Sequence, residues 1–218
     1  MSKTVDPDVG SSRTVRGDRR ALSKGERQRQ TILTTLAELL ERRPIGELTV
    51  NEISSAAGVQ RSGFYFYFES KYAPLAVLAA DIWSELMERA ESFVRHDGED
   101  VDDFLDRVQE ATSQEWRKHS AVLIASIQAI PHDDQLSSMW RTRHEHVATI
   151  LAAQVLKDRD QGLATPVTDD VPTLVSTLLE MTTHMFYKDR LEKRSRAQSV
   201  QSFSALRAIW LASAWGRH

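Results

Sequence analysis

Five consecutive aromatic residues, Phe64 to Phe68, lie between an arginine and a lysine in the segment RSGFYFYFESK, although only 7% of the chain is aromatic. If the segment were a strand, both of its faces would be aromatic, and an exposed edge of that kind promotes aggregation. In a helix, Phe64 and Phe68 are four residues apart and share one face. The other face displays a cation, hydroxyl groups and a free ring, from Arg61, Ser62, Tyr65 and Phe66. The sequence therefore predicts a short helix with a buried aromatic half and a displayed half that can donate hydrogen bonds.

The charge is distributed unevenly along the chain, whose net charge is −3. Residues 1 to 71 carry 12 basic and 9 acidic side chains, whereas the remaining residues carry 16 and 22. Residues 11 to 30 alone contain seven basic and two acidic side chains. This clustering indicates either a polyanionic partner for the N-terminal part or a solvated basic tail. Residues 1 to 23 have no apolar period, and we expect them to form a disordered basic arm.

Local signals predict the elements that position the aromatic helix. A helical apolar period begins at Glu26 and ends before Pro44. Thr49 can cap the next helix, and Glu52, three residues later, can accept a hydrogen bond from the backbone N–H of the cap. Gly58 suits the left-handed residue that ends this helix. A short helix, a glycine-containing turn and a second short helix are the parts of a helix-turn-helix, whose second helix enters the DNA major groove.

The remainder of the chain also reads as helices. Ser70 can cap a long helix whose apolar period continues to His96. Further helical segments are predicted at residues 101 to 118, 120 to 130, 134 to 160, 170 to 188 and 197 to 215. We therefore expect an all-α protein, with a three-helix helix-turn-helix domain at residues 24 to 70 and a larger helical domain at residues 71 to 218.

The amino-acid composition indicates the cellular compartment of the protein and excludes chemistry that depends on cysteine. The chain has no cysteine, which excludes a disulfide framework and fits a reducing compartment. No segment approaches the roughly 20 apolar residues of a membrane span, and the N-terminus lacks an apolar signal core. We expect a cytoplasmic protein with no membrane partner.

No group of residues has the pattern of an active site. The sequence contains neither a glycine-rich phosphate loop nor an HExxH motif. His144 and His146 are two residues apart and would point in different directions from a helix. The segment from His132 to Asp134 is better interpreted as a turn and a helix cap than as a metal site. We predict no catalytic residue, no cofactor and no metal.

The segment TVNEISSAAGVQRSGFYFYFESKYAPL resembles the N-terminal domain of TetR-family transcriptional regulators. The resemblance implies a DNA-binding surface made by Asn51, Arg61, Ser62, Gly63, Tyr65, Phe66, Tyr67 and Lys71. In this family pattern the residues at 61 to 63 face base edges, the two tyrosines meet phosphates, Phe66 meets bases, and Lys71 holds a backbone phosphate. The guanidinium fork, the phenol hydroxyls and the apolar ring are chemically suited to these roles.

Two departures from the family pattern affect the reading helix. Gln60 replaces the usual serine or threonine cap, and Gly63 stands where threonine is common. The base preference of a relative therefore cannot be transferred to this chain.

The larger part resembles the EthR-like branch of the family. The matching features are His119 followed by Trp140, an Asp158-Arg159-x-x-Gly162 helix end, and Ile209-Trp210. The resemblance implies an apolar tunnel for a hydrophobic small molecule, lined by Phe104, Leu105, Trp116, Trp140, His144, Val147, Glu180, Thr183 and Trp210. The tryptophans equally suit a core, and Glu180 could meet His184, a ligand or water.

The last two helical segments are predicted to form a homodimer. Their apolar faces exceed what one core needs, through Val171, Leu174, Val175, Leu178, Met185, Phe203, Leu206, Trp210 and Ala214. The resemblance implies a dimeric repressor that binds a palindromic operator and is released by a hydrophobic ligand. Alternatives are a helical carrier of hydrophobic ligands with only non-specific DNA binding, a ligand-insensitive regulator, and an activator.

Overall fold

The computed structural model describes residues 23–88 and 93–217, which form helices and no strand. The helices are α1 (Lys24–Leu40), α2 (Val50–Ala56), α3 (Arg61–Tyr67), α4 (Tyr72–Glu88), α5 (Val101–Lys118), α6 (Ser120–Ala129), α7 (Asp134–Asp160), α8 (Val171–Leu191) and α9 (Arg196–Trp210). Short 3₁₀ turns occupy Ile45–Glu47 and Ile130–His132, and a π turn occupies Leu211–Trp215. The all-α prediction is confirmed. None of the described helices is long and apolar enough to cross a membrane.

The first three helices begin and end where local chemistry requires. Ser23 and Thr49 each form a capping box with the glutamate three residues later. Gly58 has φ of +66°, the left-handed conformation that a glycine adopts without strain. Gln60, which departs from the family pattern, makes no side-chain cap bond. Apart from Ser23, the predicted basic arm lies outside the described residues.

Helix α4 connects the two parts of the molecule. Its N-terminal turns pack against α1 through buried Leu75, Ala76 and Ala79, and the helix also contacts α6 and α7. The predicted continuation of α4 to His96 is wrong, because Phe93 lies outside the α-helix. Residues 89–92 lie outside the described part. Since α6 also contacts α1, the first three helices rest on the larger part at two places.

The larger part is organised by the long helix α7, which packs along α8. The Asp133 side chain caps α7 by accepting a hydrogen bond from the backbone N–H of Leu136 at 2.9 Å, as the turn-and-cap interpretation predicts. Near the other end of α7, the fully buried Asp158 accepts hydrogen bonds from Arg95, Gln154 and Trp215. These bonds satisfy the buried carboxylate and join the segment after α4 to the C-terminal turn.

Candidate DNA interface and ligand cavity

Helix α3 separates its aromatic residues into a buried and a displayed set. Phe64 is fully buried and Phe68 is 4% exposed, with their ring centroids 5.8 Å apart. Phe66 is 80% exposed and Tyr65 is 46% exposed, on the opposite face. The two displayed rings thus form an exposed aromatic patch, a feature that is common at surfaces where a protein meets a partner.

Arg61 extends this displayed surface. Its guanidinium carbon lies 5.6 Å from the centroid of the Tyr65 ring, and its Nη2 lies 3.5 Å from the phenol oxygen. No carboxylate of the described residues forms an ion pair with Arg61. The guanidinium therefore keeps donors that can form bidentate hydrogen bonds with a guanine edge. The neighbouring Ser62, and Asn51 on α2, are also exposed.

Tyr67 and Gly63 lie closer to α1 than the other predicted DNA contacts. The Tyr67 hydroxyl donates a hydrogen bond to Oε1 of Gln28 at 3.3 Å, and the Tyr67 side chain is half-buried. A Cβ at Gly63 would meet only the Gln28 amide, at an ordinary 3.7 Å. The protein itself therefore leaves space for a side chain at Gly63, and any need for glycine there must come from a partner.

Lys71 makes internal contacts that its predicted phosphate role did not include. Its ammonium group donates to the backbone carbonyls of Ile45 at 2.8 Å, Gly46 at 3.2 Å and Leu48 at 2.8 Å. An ammonium group has three donors, so all three are used in this conformation. Lys71 thus fixes the turn before α2 to the start of α4, and a phosphate contact would have to replace one of these bonds.

A mostly apolar cavity of about 120 Å³ lies among α4 to α9. Most of the predicted ligand residues line it, namely Leu105, Trp116, Trp140, His144, Val147, Thr183 and Trp210. This volume approaches that of an apolar cavity of about 150 Å³ that binds benzene, so a small ring or a short chain has the right scale for it.

Two of the predicted ligand residues do not line the cavity. Phe104 is fully buried but packs edge to face on Trp215, with ring centroids 6.3 Å apart. Glu180 is exposed on the outer face of α8, so the interpretation in which it meets water is correct. His184, one turn later, is exposed as well. Helical periodicity placed Glu180 beside an apolar stripe but could not show which side of that stripe faces the cavity.

The cavity wall also carries polar groups, several of which the sequence did not reveal. His144 Nε2 lies 3.1 Å from the hydroxyl of Ser176, and the Trp210 indole donates to Thr182 at 2.9 Å. Trp83 and Arg143, both missed, line the cavity too. A signal was present, because Arg143 and His144 follow Trp140 at the three- and four-residue spacing of one helix face.

Among the described residues, one group of possible metal ligands adjoins the cavity, whose wall includes Glu115. Ligand atoms of Glu85, Glu115 and His119 lie within 4.8 Å of one another. Burial is the main cause that lowers the pKa of His119, with Lys118 adding to it. Lys118 donates to the Glu85 carboxylate at 2.9 Å, so a cation already neutralises part of this group.

The predicted dimer residues are mostly buried within the single chain. Val171, Val175 and Ala214 are fully buried, and Phe203 and Leu206 nearly so. The apolar positions named for dimerisation therefore serve the chain's own core, which corrects that argument. The exposed apolar residues on the same helices are different ones, Leu191, Val200 and Ile209.

Comparison with known proteins gives a family for both parts. Residues 32–75 match the family described as bacterial regulatory proteins, tetR family. Residues 106–216, just over half of the chain, match the family described as transcriptional regulator EthR, C-terminal domain. The chain belongs to the TetR family, as a regulator of the EthR type.

Individual relatives agree with this assignment to the TetR family. The chain is 26% identical to the HTH-type transcriptional regulator EthR of Mycolicibacterium smegmatis over 208 residues, which is 95% of each chain. It is 25% identical to EthR of Mycobacterium tuberculosis over 204 residues, covering 93% of this chain and 94% of the relative. Among solved structures, Salmonella enterica GusR is similar in fold, with a TM-score of 0.61 at 19% identity, covering 88% of this chain and 98% of GusR. PfmR from Thermus thermophilus has a TM-score of 0.65 at 20% identity, covering 84% of this chain and 97% of PfmR.

As a TetR-family protein, this chain is a helix-turn-helix transcriptional regulator. Helices α2 and α3 are the helix-turn-helix pair, which confirms the predicted motif. Helices α5 to α9 belong to the EthR-type part, and the cavity lies there, with α4 along one side.

Proposed function

We propose that this regulator is a repressor that binds a palindromic operator as a homodimer and leaves it when a hydrophobic small molecule enters the cavity. The observation that carries the DNA-binding part is the contrast on α3 between Phe64, fully buried, and Phe66, 80% exposed. The buried ring holds the helix on the domain, so the exposed ring and Arg61 are presented at a fixed position. We keep residues 24 to 70 as the DNA-binding domain and residues 71 to 218 as the domain for ligand binding and dimerisation.

The contacts with DNA follow from exposure and chemistry. Arg61, Ser62 and Gly63 face base edges, and Phe66 packs on a base, most simply on a thymine methyl group. Tyr65 and Asn51 are exposed and can donate to phosphates or to base edges. Tyr67 already donates to Gln28, so its phosphate contact requires its hydroxyl to turn or to share that bond. Lys71 acts mainly by fixing the turn before α2.

Dimerisation uses the exposed faces of α8 and α9. The exposed side of α9 carries mostly small or apolar residues, Ala197, Val200, Ser204, Ala205, Ala208 and Ile209. Small residues allow two helices to approach closely, and the family pattern pairs these helices between two chains. Glu180 is exposed on α8, and we assign it to the solvated rim of the proposed dimer interface rather than to the cavity. A two-fold dimer reads a palindrome whose half-site spacing matches the distance between its two copies of α3.

The ligand and the DNA are coupled through α4. Ile82, Trp83 and Leu86 of this helix line the cavity, while its first turns pack on α1. The bonds of Lys71 to the turn before α2 make the start of α4 move together with the DNA-binding helices. A ligand that displaces α4 therefore changes the spacing of the reading helices in the dimer. Ligand and DNA must then weaken each other by the same factor.

Two measurements test this proposal. Sedimentation equilibrium of the full chain at micromolar concentration should give a dimer, and a monomer would contradict the proposed reading of a palindrome. Fluorescence anisotropy of a labelled operator duplex should fall when a small apolar molecule such as acetophenone is added. If such molecules raise the melting temperature of the protein but leave the duplex bound, the cavity is a binding site without control over DNA.

A further inference from the structure

Two tryptophans at the cavity have indole N–H groups that nothing in the described chain satisfies. Nε1 of Trp83 and Nε1 of Trp140 are buried and have no hydrogen-bond acceptor among residues 23–88 and 93–217. Both side chains line the cavity. A buried donor without an acceptor destabilises the folded protein, so such donors are rare and need an explanation.

The contact between the two rings cannot satisfy both donors. The ring centroids are 5.1 Å apart and the planes are perpendicular, which is an edge-to-face arrangement. In such a pair one ring supplies the edge and the other supplies the face. At most one of the two N–H groups can therefore point at the partner ring, so at least one donor remains.

The other tryptophans with buried donors near the cavity differ from this pair. The Trp210 indole donates to Thr182 Oγ1 at 2.9 Å, and the Trp215 indole donates to Asp158 Oδ2 at 2.9 Å. The chain thus supplies acceptors where its own packing requires them. The missing acceptor at Trp83 and Trp140 is a local property of that side of the cavity.

We propose that this pair recognises a hydrogen-bond-accepting oxygen, a carbonyl or a carboxylate, on an otherwise apolar ligand. The inference rests on the proposed ligand-binding function and specifies the chemical class of the ligand. Trp83 is on α4 and Trp140 is on α7, so one oxygen that accepts both N–H bonds joins the two helices. The hydrogen bond from Trp83 would attach the ligand directly to α4, the helix that connects the cavity to the DNA-binding domain.

Arg143 extends the same side of the cavity. It lies three residues after Trp140 on α7, it lines the cavity, and it forms no ion pair with a carboxylate of the described residues. A carboxylate ligand would therefore gain a charged contact that a ketone lacks. Glu115 contributes an opposing charge from α5, on another wall of the cavity, where it lies 3.6 Å from His119. An anion is thus accepted only at the Arg143 side.

Three probes of nearly equal shape test the inference: ethylbenzene, acetophenone and benzoate. Calorimetric titration of the full chain should show that acetophenone binds at least about tenfold more tightly than ethylbenzene, because only the ketone supplies the missing acceptor. In Trp83→Phe and Trp140→Phe, which keep a ring and lose the donor, this preference should fall, and in the double variant it should disappear. Arg143→Gln should weaken benzoate and leave acetophenone unchanged.

Tyr187→Phe is the matched control, because it keeps a ring and loses a donor at a side chain of α8 that does not line the cavity. It should keep the preference for acetophenone. The indole proton resonances of Trp83 and Trp140 should also move downfield with acetophenone and stay in place with ethylbenzene. Equal binding of the two neutral probes overturns the inference but leaves the ligand-released regulator intact. Failure of all three probes to bind, with unchanged indole resonances, overturns both.

Discussion

Phe64 and Phe66 give the strictest test of the proposed reading surface, because they are two residues apart on α3 and have opposite environments. Phe66→Ala removes a ring that is 80% exposed. Complete burial of a phenylalanine stabilises a protein by about 1.5–3 kcal/mol, so the buried fifth contributes roughly 0.5 kcal/mol. The greater helix propensity of alanine offsets about the same amount. The free energy of unfolding should therefore stay nearly unchanged.

The effect of Phe66→Ala on DNA binding should be much larger. If DNA covers the exposed four-fifths of the ring, the lost burial is about 1–2.5 kcal/mol, or roughly 5- to 60-fold in affinity. Phe64→Leu, the matched control, shrinks a fully buried ring and should lower the free energy of unfolding by about 1–3 kcal/mol. Urea unfolding followed by tryptophan fluorescence, together with anisotropy titration of an operator duplex, measures both quantities. Unchanged operator affinity in folded Phe66→Ala would refute the claim that α3 reads DNA with this face.

Four other substitutions test separate parts of the account. Arg61→Ala should weaken the free energy of binding to the operator by about 1–3 kcal/mol and relax specificity at one base pair. An equal loss of affinity for operator and random DNA would contradict its base-reading role. Lys71→Met should lower the free energy of unfolding, measured in urea, by about 1–3 kcal/mol, because three backbone carbonyls lose their donor. Unchanged stability together with uniformly weaker DNA binding would instead make Lys71 a phosphate contact. The hydrogen bond from Arg43, then those from Thr49, lower the pKa of Glu52 from 4.5 to about 2, so its contribution to stability is present above pH 4.5 and is lost as the pH falls toward 2. The melting temperature of Glu52→Gln should accordingly fall less steeply than that of the parent between pH 4.5 and 2, and identical slopes would count against the bonds of Arg43 and Thr49 to the Glu52 carboxylate. Asp158→Asn should lower the free energy of unfolding, measured in urea, by about 3–5 kcal/mol, because it leaves the Arg95 charge buried without its partner. A decrease below about 1 kcal/mol would show that water already reaches this network.

The helix-turn-helix could be predicted from the sequence because its signals are local. The Thr49 and Glu52 capping box needs only three residues, and the left-handed Gly58 needs one. The separation of Phe64 from Phe66 follows from the helical period on a helix with a single buried face. Physical rules of short range therefore gave both the elements and the displayed surface of the DNA-binding domain.

The ligand cavity was harder to predict because its helices have neighbours on several sides. On α8, the apolar stripe faces the core, and Glu180 beside it turns outward, whereas Thr183 reaches the cavity. Phe104 and Leu105 are adjacent and both buried, yet only Leu105 lines the cavity. Periodicity identifies a buried face but not what lies against it, so these assignments depended on tertiary packing.

Contacts between segments that are far apart in the sequence could not be predicted from sequence patterns. The carbonyls that hold Lys71 lie 23 to 26 residues earlier in the chain, and no spacing rule connects them. Trp83 was missed because nothing in its own helix distinguishes it from a core residue. The unsatisfied N–H that makes it informative appears only when α4 and α7 are placed together.

The central claim is that this protein reads a specific operator, and selection of bound fragments from random duplex DNA tests it most directly. The purified full chain should enrich one palindrome, with two half-sites at a fixed spacing. The Phe66→Ala variant, used in parallel, should enrich that palindrome weakly or not at all. Salt-sensitive binding with no enriched sequence would contradict the account and would favour a carrier of hydrophobic ligands that touches DNA only through its charge.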